Sequence, residues 1–337
     1  MELEFDIQFG QENRTYFIAT NIPFTYVDIM REIVGAEITC WDEVFHPKSP
    51  PQRVLIEKSN LYYERKVLCH TELGLPVFMM TISSEKPVWK WSKKWAVVIT
   101  SWVHPAESNA SLVFQGVLNH LLSDEAKWLW SSHVFYLFPC LNPDGVTMGH
   151  TRTSLSGFDL NRVWLNPHPQ MHAPIKHVKE FMAERADNIH FFFDLHGHSK
   201  KRNCFIYGNP TASKLGFLSW TKVRLFPWVL ASQTCLFNLK DCNYWIQKSK
   251  VSTGRVVVWD QLEISNSYTV ETSYYGYSVW RDKHTIEFTI EDVMSIGKSL
   301  ACSVLLYKKA QRKMAPELKL TQGWLKPISL IKYTGTP

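Results

Sequence analysis

From residue 95 onward two hydrophobic patterns alternate. Short runs that are apolar almost throughout, WAVVITSWV (95–103), HVFYLFPC (133–140) and IHFFFDL (189–195), together with SNSYTVET (266–273), predict strands. Between and after them, SNASLVFQGVLNHLL, PIKHVKEFMAERA and TIEDVMSIGKSLACSVLLYKK place apolar residues every three or four positions and predict helices. In the last of these, Val293, Ile296, Leu300 and Val304 share one face. Strands that are apolar on both sides need a cover on both sides, so the pattern predicts an α/β layered domain.

The N-terminus follows a different period. Leu3, Phe5, Ile7 and Phe9 alternate with Glu2, Glu4, Asp6 and Gln8, which predicts a half-buried strand. FHPKSPPQ (45–52) carries three prolines and reads as a linker. The expected organisation is therefore a reduced β-rich region with its linker over 1–52, a main domain over 53–315 and a C-terminal tail over 316–337.

Composition narrows the class without naming a function. A chain of 337 residues, 45% hydrophobic and 20% charged, is globular rather than collagenous, coiled-coil or disordered. Its net charge of +6 suits an acidic substrate but is too diffuse to indicate nucleic acid. Seven scattered cysteines contain no C-x-x-C pair, which predicts free thiols and a reducing compartment. The first residues are too acidic for a signal peptide, and no apolar run is long enough for a membrane span, so a cytoplasmic protein is expected. A glycan on the Asn109 sequon would sit two residues from Glu107, which agrees with that expectation.

Polar clusters fall at or just beyond the ends of the four strands: His104 and Glu107, then NPDG, then HGH, then Glu271. Ligands of open α/β sheets bind beyond the carboxyl ends of the strands, so these clusters are expected to meet. Catalytic zinc commonly takes two histidines and a carboxylate and keeps one position open. His104 and Glu107 would supply two ligands, and either His196 or His198 the third. Alone, H-x-x-E is a common pair on solvated faces, HGH a polar turn and Glu271 an exposed strand position. Asp194 is placed to orient a histidine ring, Glu271 to act as general base, and Asp144 to accept the free N–H of a zinc-bound histidine. RTSLSGFDLNRVW adds Arg152, Asp159, Asn161 and Arg162, of which the arginines suit carboxylate recognition.

The motifs HPAESNAS, LNPDGVTMGHTRTSLSGFDLNRVW, DLHGHSKKRNCFIYGN, TGRVVVW and NSYTVETS, in that order, resemble the cytosolic carboxypeptidases, zinc metallocarboxypeptidases that trim glutamates from tubulin tails. The resemblance implies a three-layer α/β/α domain with a central mixed, mostly parallel sheet. It implies one Zn²⁺ on His104, Glu107 and His196, Glu271 as general base, and Arg152 polarising the scissile carbonyl. Asn161 and Arg162 would grip the terminal carboxylate, Asp144 would support His104, and Arg255 would face an acidic side chain, with Lys200, Lys201 and Arg202 adding positive charge. Tyr244 and Tyr268 are the candidates for a tyrosine that closes over substrate. The implied partners are acidic C-terminal tails, tubulin first, with no nucleic acid and no membrane, in the cytoplasm on microtubules or cilia. The chain departs from the family at Ala106, where glycine is usual. Two other functions share many of these residues: a zinc amidohydrolase acting on small N-acyl amino acids, and an inactive module that binds acidic tails.

Overall fold

The computed structural model describes residues 6–10, 14–16, 18–19, 21–40, 53–58, 60–87, 94–210, 216–279 and 284–322. Along the chain, α1 (Tyr26–Cys40) precedes β1 (Arg53–Lys58), β2 (Leu61–His70) and β3 (Pro76–Ser83). Next come β4 (Trp95–Ser101), α2 (Ser108–Leu121), α3 (Lys127–Ser132), β5 (His133–Phe138), α4 (Pro143–Thr147) and α5 (Ala173–Ala183). After these lie β6 (Ile189–His198), β7 (Cys204–Tyr207), α6 (Gly216–Gln233), α7 (Gly254–Gln261) and β8 (Ser267–Ser273). The two-residue pair β9 (Gly276–Tyr277) and β10 (Ile286–Glu287) precedes α8 (Ile290–Gln322), which runs past the expected domain end at 315.

Eight strands form one mixed sheet in the order β1-β2-β3-β5-β4-β6-β8-β7. The central neighbours β5, β4, β6 and β8 are parallel, and antiparallel strands flank them, so β2 also runs with the centre. Alternation along the strands divides the core as the apolar runs require. Val97, Ile99, Phe135, Leu137, Phe191 and Phe193 face a layer containing α2, α6 and α8, whereas Ala96, Val98, Val134, Tyr136 and Phe192 face α5 and α7. Glycines let α2 and α8 cross closely: a Cβ on Gly116 would overlap the Met294 carbonyl, and one on Gly297 the Val113 carbonyl.

The N-terminal expectation is corrected. Residues 1–5 of the expected strand and the linker 45–52 lie outside the described residues, but Asp6–Gly10 is irregular and exposed. The regular element among the described residues of this region is the helix α1, whose Ile29 and Ile33 join the core with Tyr63. Ile7 and Phe9 thus have no sheet partner among the described residues. Instead α1 is clasped to β2 by a buried cluster. Arg65 gives Glu37 two hydrogen bonds, at 2.5 and 2.9 Å, and the Tyr63 hydroxyl donates a third at 2.6 Å.

Candidate metal centre and active site

The turn after β4 is built before any ligand is placed. Trp102, fully buried, adopts φ +55°, a conformation bulky residues rarely take, and so turns the chain sharply out of the sheet. Its indole N–H donates to the Pro105 carbonyl at 2.8 Å. The Asn142 amide donates to the Val103 carbonyl at 3.1 Å, and a Cβ on Gly145 would collide with Pro105 and the Thr153 carbonyl. NPDG is therefore the prop beneath the HPAE turn. Ala106 donates its N–H to Thr151 and does not occupy the positive-φ region, so glycine is not required there. Residues 21 and 22 brace the same turn, through Asn21 to the Ala106 carbonyl and Ser108 to the Ile22 carbonyl. Glu107 then stands at the N-cap of α2.

Three buried side chains converge there. Glu107 meets His104 Nδ1 at 2.7 Å and His196 Nδ1 at 2.9 Å, and accepts the Gly197 N–H at 2.9 Å. The far nitrogens are also held: His104 Nε2 lies 3.0 Å from Asp159, and His196 Nε2 lies 2.8 Å from Asp194 and 3.1 Å from the Asn161 amide. Gly197 admits this packing, since a Cβ would overlap Asn109 and Tyr274. Burial opposes charge on both rings, yet the carboxylates around them prevail and raise both pKa values, that of His196 well above the ordinary imidazole range. Against its own burial, the two histidines hold Glu107 well below the usual carboxylate range.

This donor set fits zinc. One ligand atom from each of the three residues can be chosen so that all lie within 4.8 Å of one another. With each Nε2–H donating to a carboxylate, each Nδ1 is left with its lone pair toward Glu107, the orientation seen when an outer carboxylate fixes a metal-binding imidazole.

Glu271 joins by strand register. It is paired with His196 across the parallel β6–β8 ladder, so both side chains leave the sheet on the same side. Burial pushes its pKa up to about 7 against the attraction of His196, and repulsion from Glu107 adds to the rise. Arg152 reaches Asp159 at 2.8 Å, and Arg162 donates to the Asn161 carbonyl at 2.8 Å. The Asn161 side-chain oxygen accepts the Gly254 N–H at 3.0 Å. Arg255 is buried, with its Nη1 donating to the Gly208 carbonyl and, at 2.9 Å, to Asn209; burial lowers its pKa to about 10. His104, Glu107, His196, Glu271, Arg152, Asn161, Arg162 and Arg255 line one cavity of about 520 Å³.

Several expected roles move. Asp144 does not support His104: it accepts hydrogen bonds from the Thr71 hydroxyl and the Leu73 N–H, on the far side of the NPDG turn. Asp159 takes that place, which its position two residues before Asn161 in DLNR could have indicated. His198 stays outside the triad, accepting the backbone N–H groups of Lys200 and Lys201. Tyr268 is buried and donates to the Val223 carbonyl, and Tyr244 lines a separate groove beside α6; Tyr207 and Tyr274 are the tyrosines of the cavity. Of the run Lys200–Arg202, only Lys201 lines it. Lys250 and Tyr274 fall outside the quoted motifs, and Tyr207 lies within DLHGHSKKRNCFIYGN without a role marked for it.

The zinc carboxypeptidase family model matches residues 62–295. Mouse cytosolic carboxypeptidase 4 is 33% identical over 295 residues, covering 81% of this chain and 25% of that protein. Human cytosolic carboxypeptidase 2 is 35% identical over 314 residues, covering 90% and 32%. The chain thus spans about a quarter to a third of the length of these curated relatives. Among solved structures, a metallo-carboxypeptidase from Burkholderia cenocepacia shares the fold with a TM-score of 0.68 at 18% identity, covering 86% of this chain and 70% of that one. With its family motifs brought together around one His-Glu-His centre, the chain belongs to the zinc carboxypeptidase family.

Proposed function

We propose that residues 53–315 form the catalytic domain of a carboxypeptidase that removes acidic residues, glutamate foremost, from the C-termini of protein tails such as those of tubulin. One observation carries this reading. The cavity that holds the His104–Glu107–His196 centre and Glu271 is lined by Arg152, Arg162, Lys201, Lys250 and Arg255, against only two carboxylates.

Zinc held by His104, Glu107 and His196 supplies a Lewis acid that polarises a carbonyl and acidifies water. Glu271, with a pKa near neutrality, takes the proton of the attacking water and returns it to the leaving amine. Arg152, steadied by Asp159, offers N–H donors to the oxygen that becomes negative. Asn161 and Arg162 hold the terminal carboxylate. Arg255 uses only Nη1 for its contacts with Gly208 and Asn209, which leaves Nε and Nη2 for the carboxylate of an acidic side chain. The relatives' names support a cytoplasmic setting, and no described helix is long and apolar enough to cross a membrane. Tubulin on microtubules or in cilia offers tails of the right charge.

The test is release of C-terminal residues from zinc-loaded protein. Glu-ended peptides should be cleaved faster than Ala-ended ones, and Glu271→Gln should lower the rate by roughly 10²–10⁴-fold with zinc retained. Arg255→Glu should reduce cleavage of Glu-ended peptides far more than of neutral ones. Full activity of Glu271→Gln with stoichiometric zinc would sink the mechanism. Release from N-acyl amino acids alone would favour an amidohydrolase, and binding of acidic peptides without zinc an inactive module.

A further inference from the structure

Lys250 is the cation of the cavity that nothing else in the site uses. It lies in the short turn Lys248–Lys250, lines the cavity, and makes no side-chain hydrogen bond or ion pair among the described residues. Its backbone is fixed. The Lys250 N–H donates to the Gln247 carbonyl at 2.9 Å, and its own carbonyl accepts both the N–H and the hydroxyl of Thr253, at 3.1 and 2.8 Å.

The loop that carries Lys250 is also tied to the segment that carries Arg162. Gly254 donates its N–H to Asn161 at 3.0 Å, Trp164 donates its N–H to the Ser252 carbonyl at 3.3 Å, and a Cβ on Gly254 would crowd the Trp164 ring. Two cations are thereby held on neighbouring walls of one cavity. Asp159, 3.9 Å from Arg162, is already committed to His104 and Arg152, and no carboxylate of the described residues comes within ion-pair distance of Lys250. Burial disfavours the Lys250 charge and Arg162 and Arg152 add repulsion, which the attraction of Glu271 and Asp159 does not offset. Two cations on one cavity, one of them with no counter-ion within ion-pair distance among the described residues, suit an anionic ligand.

We propose that Lys250 is the second cation of the terminal-carboxylate subsite, pairing with Arg162 on the free α-carboxylate whatever side chain the last residue bears. The proposal rests on the carboxypeptidase reading above and adds a division of labour to it: Lys250 and Arg162 recognise the chain end, and Arg255 the acidic side chain.

Binding tests it without turnover. Zinc-loaded Glu271→Gln protein, with and without Lys250→Met, is titrated with N-acetyl-Ala-Glu and N-acetyl-Ala-Ala, each as the free acid and as the C-terminal α-amide. Lys250→Met should weaken both free acids by about tenfold, the order expected for one hydrogen bond to a charged group, and leave both amides unchanged. Lys250→Arg should restore most of the loss. Equal weakening of acids and amides, weakening confined to the Glu-ended peptide, or no change would each overturn the assignment. Turnover of the same acids by protein with Glu271 intact is scored separately. Lys250-dependent acid binding without any turnover would remove the hydrolase reading and leave the subsite standing.

Discussion

Glu37 and Glu107 are both buried carboxylates with three close polar contacts apiece, yet one closes a fold and the other opens a site. Glu37 takes two hydrogen bonds from Arg65 and one from the Tyr63 hydroxyl, and Arg65 in turn lies over the Phe78 ring. A guanidinium keeps its charge at any ordinary pH, so that cluster has nothing to offer a third party. Glu107 sits between two imidazoles, which can shed their protons and turn lone pairs toward a cation. Burial and bond count do not separate structure from function here. The chemistry of the partners does.

The largest effect expected from breaking this contrast is at the metal. Glu107→Gln should lower zinc affinity by more than the roughly 10–100-fold that loss of an outer-shell partner costs, while shifting the metal-free melting temperature less than the change at Glu37 does. Titration with a zinc-competing dye and a thermal scan measure the two quantities. Conversely, Glu37→Gln leaves Arg65 buried without its counter-charge and should cost about 3–5 kcal/mol of stability with zinc affinity preserved. Loss of zinc from folded Glu37→Gln protein would show that α1 and the metal turn are one unit.

Asp159 and Asp144 sharpen the comparison at a smaller scale. Asp159→Asn should weaken zinc by roughly 10–100-fold through the His104 ring, whereas Asp144→Asn should leave zinc binding where it was. Equal losses would restore Asp144 to the metal centre.

The smallest effect concerns a histidine denied the charge that His196 is given. Burial, reinforced by Lys308, lowers the pKa of His133 to about 3 from 6.5. The unfolded chain therefore binds a proton that the folded one refuses. This contribution to stability is complete above pH 6.5 and is lost as pH falls from there toward 3, by at most about 1.4 kcal/mol per unit. Urea melts between pH 7 and 5 should show a shallower decline for His133→Gln than for the parent; identical slopes would remove His133 from the account.

Reading the sequence worked where burial on two faces forces a simple pattern. β4, β5 and β6 are apolar runs because helices cover both sides, and α5 and α8 keep a helical period because each buries one face, whereas α2 is buried on nearly all sides. The same logic does not reach β2, where a charged Arg65 is a core residue because Glu37 arrives from α1. Nor does it reach α6, whose Pro227 argues against a helix. Among site residues, His104, Glu107, His196 and Glu271 fell within spaced motifs. The role of Asp159 and the cavity position of Lys250 depend on which loops are laid against which strand, and local spacing does not record that. Trp102 was equally invisible, since nothing in its neighbours announces a positive φ.

The pairing of His196 with Glu271 across β6 and β8 has a consequence for how such a site can be lost. Their separation is stored as a residue count, since one step of slippage in either strand would send Glu271 to the opposite face of the sheet. A length set by counting cannot drift. Loops around the cavity can lengthen or shorten by degrees and retune what is bound, but a single-residue deletion within β6 before His196, or within β8 before Glu271, would separate base from metal outright. In a lineage of such chains, substrate preference would change gradually and activity would vanish in one step.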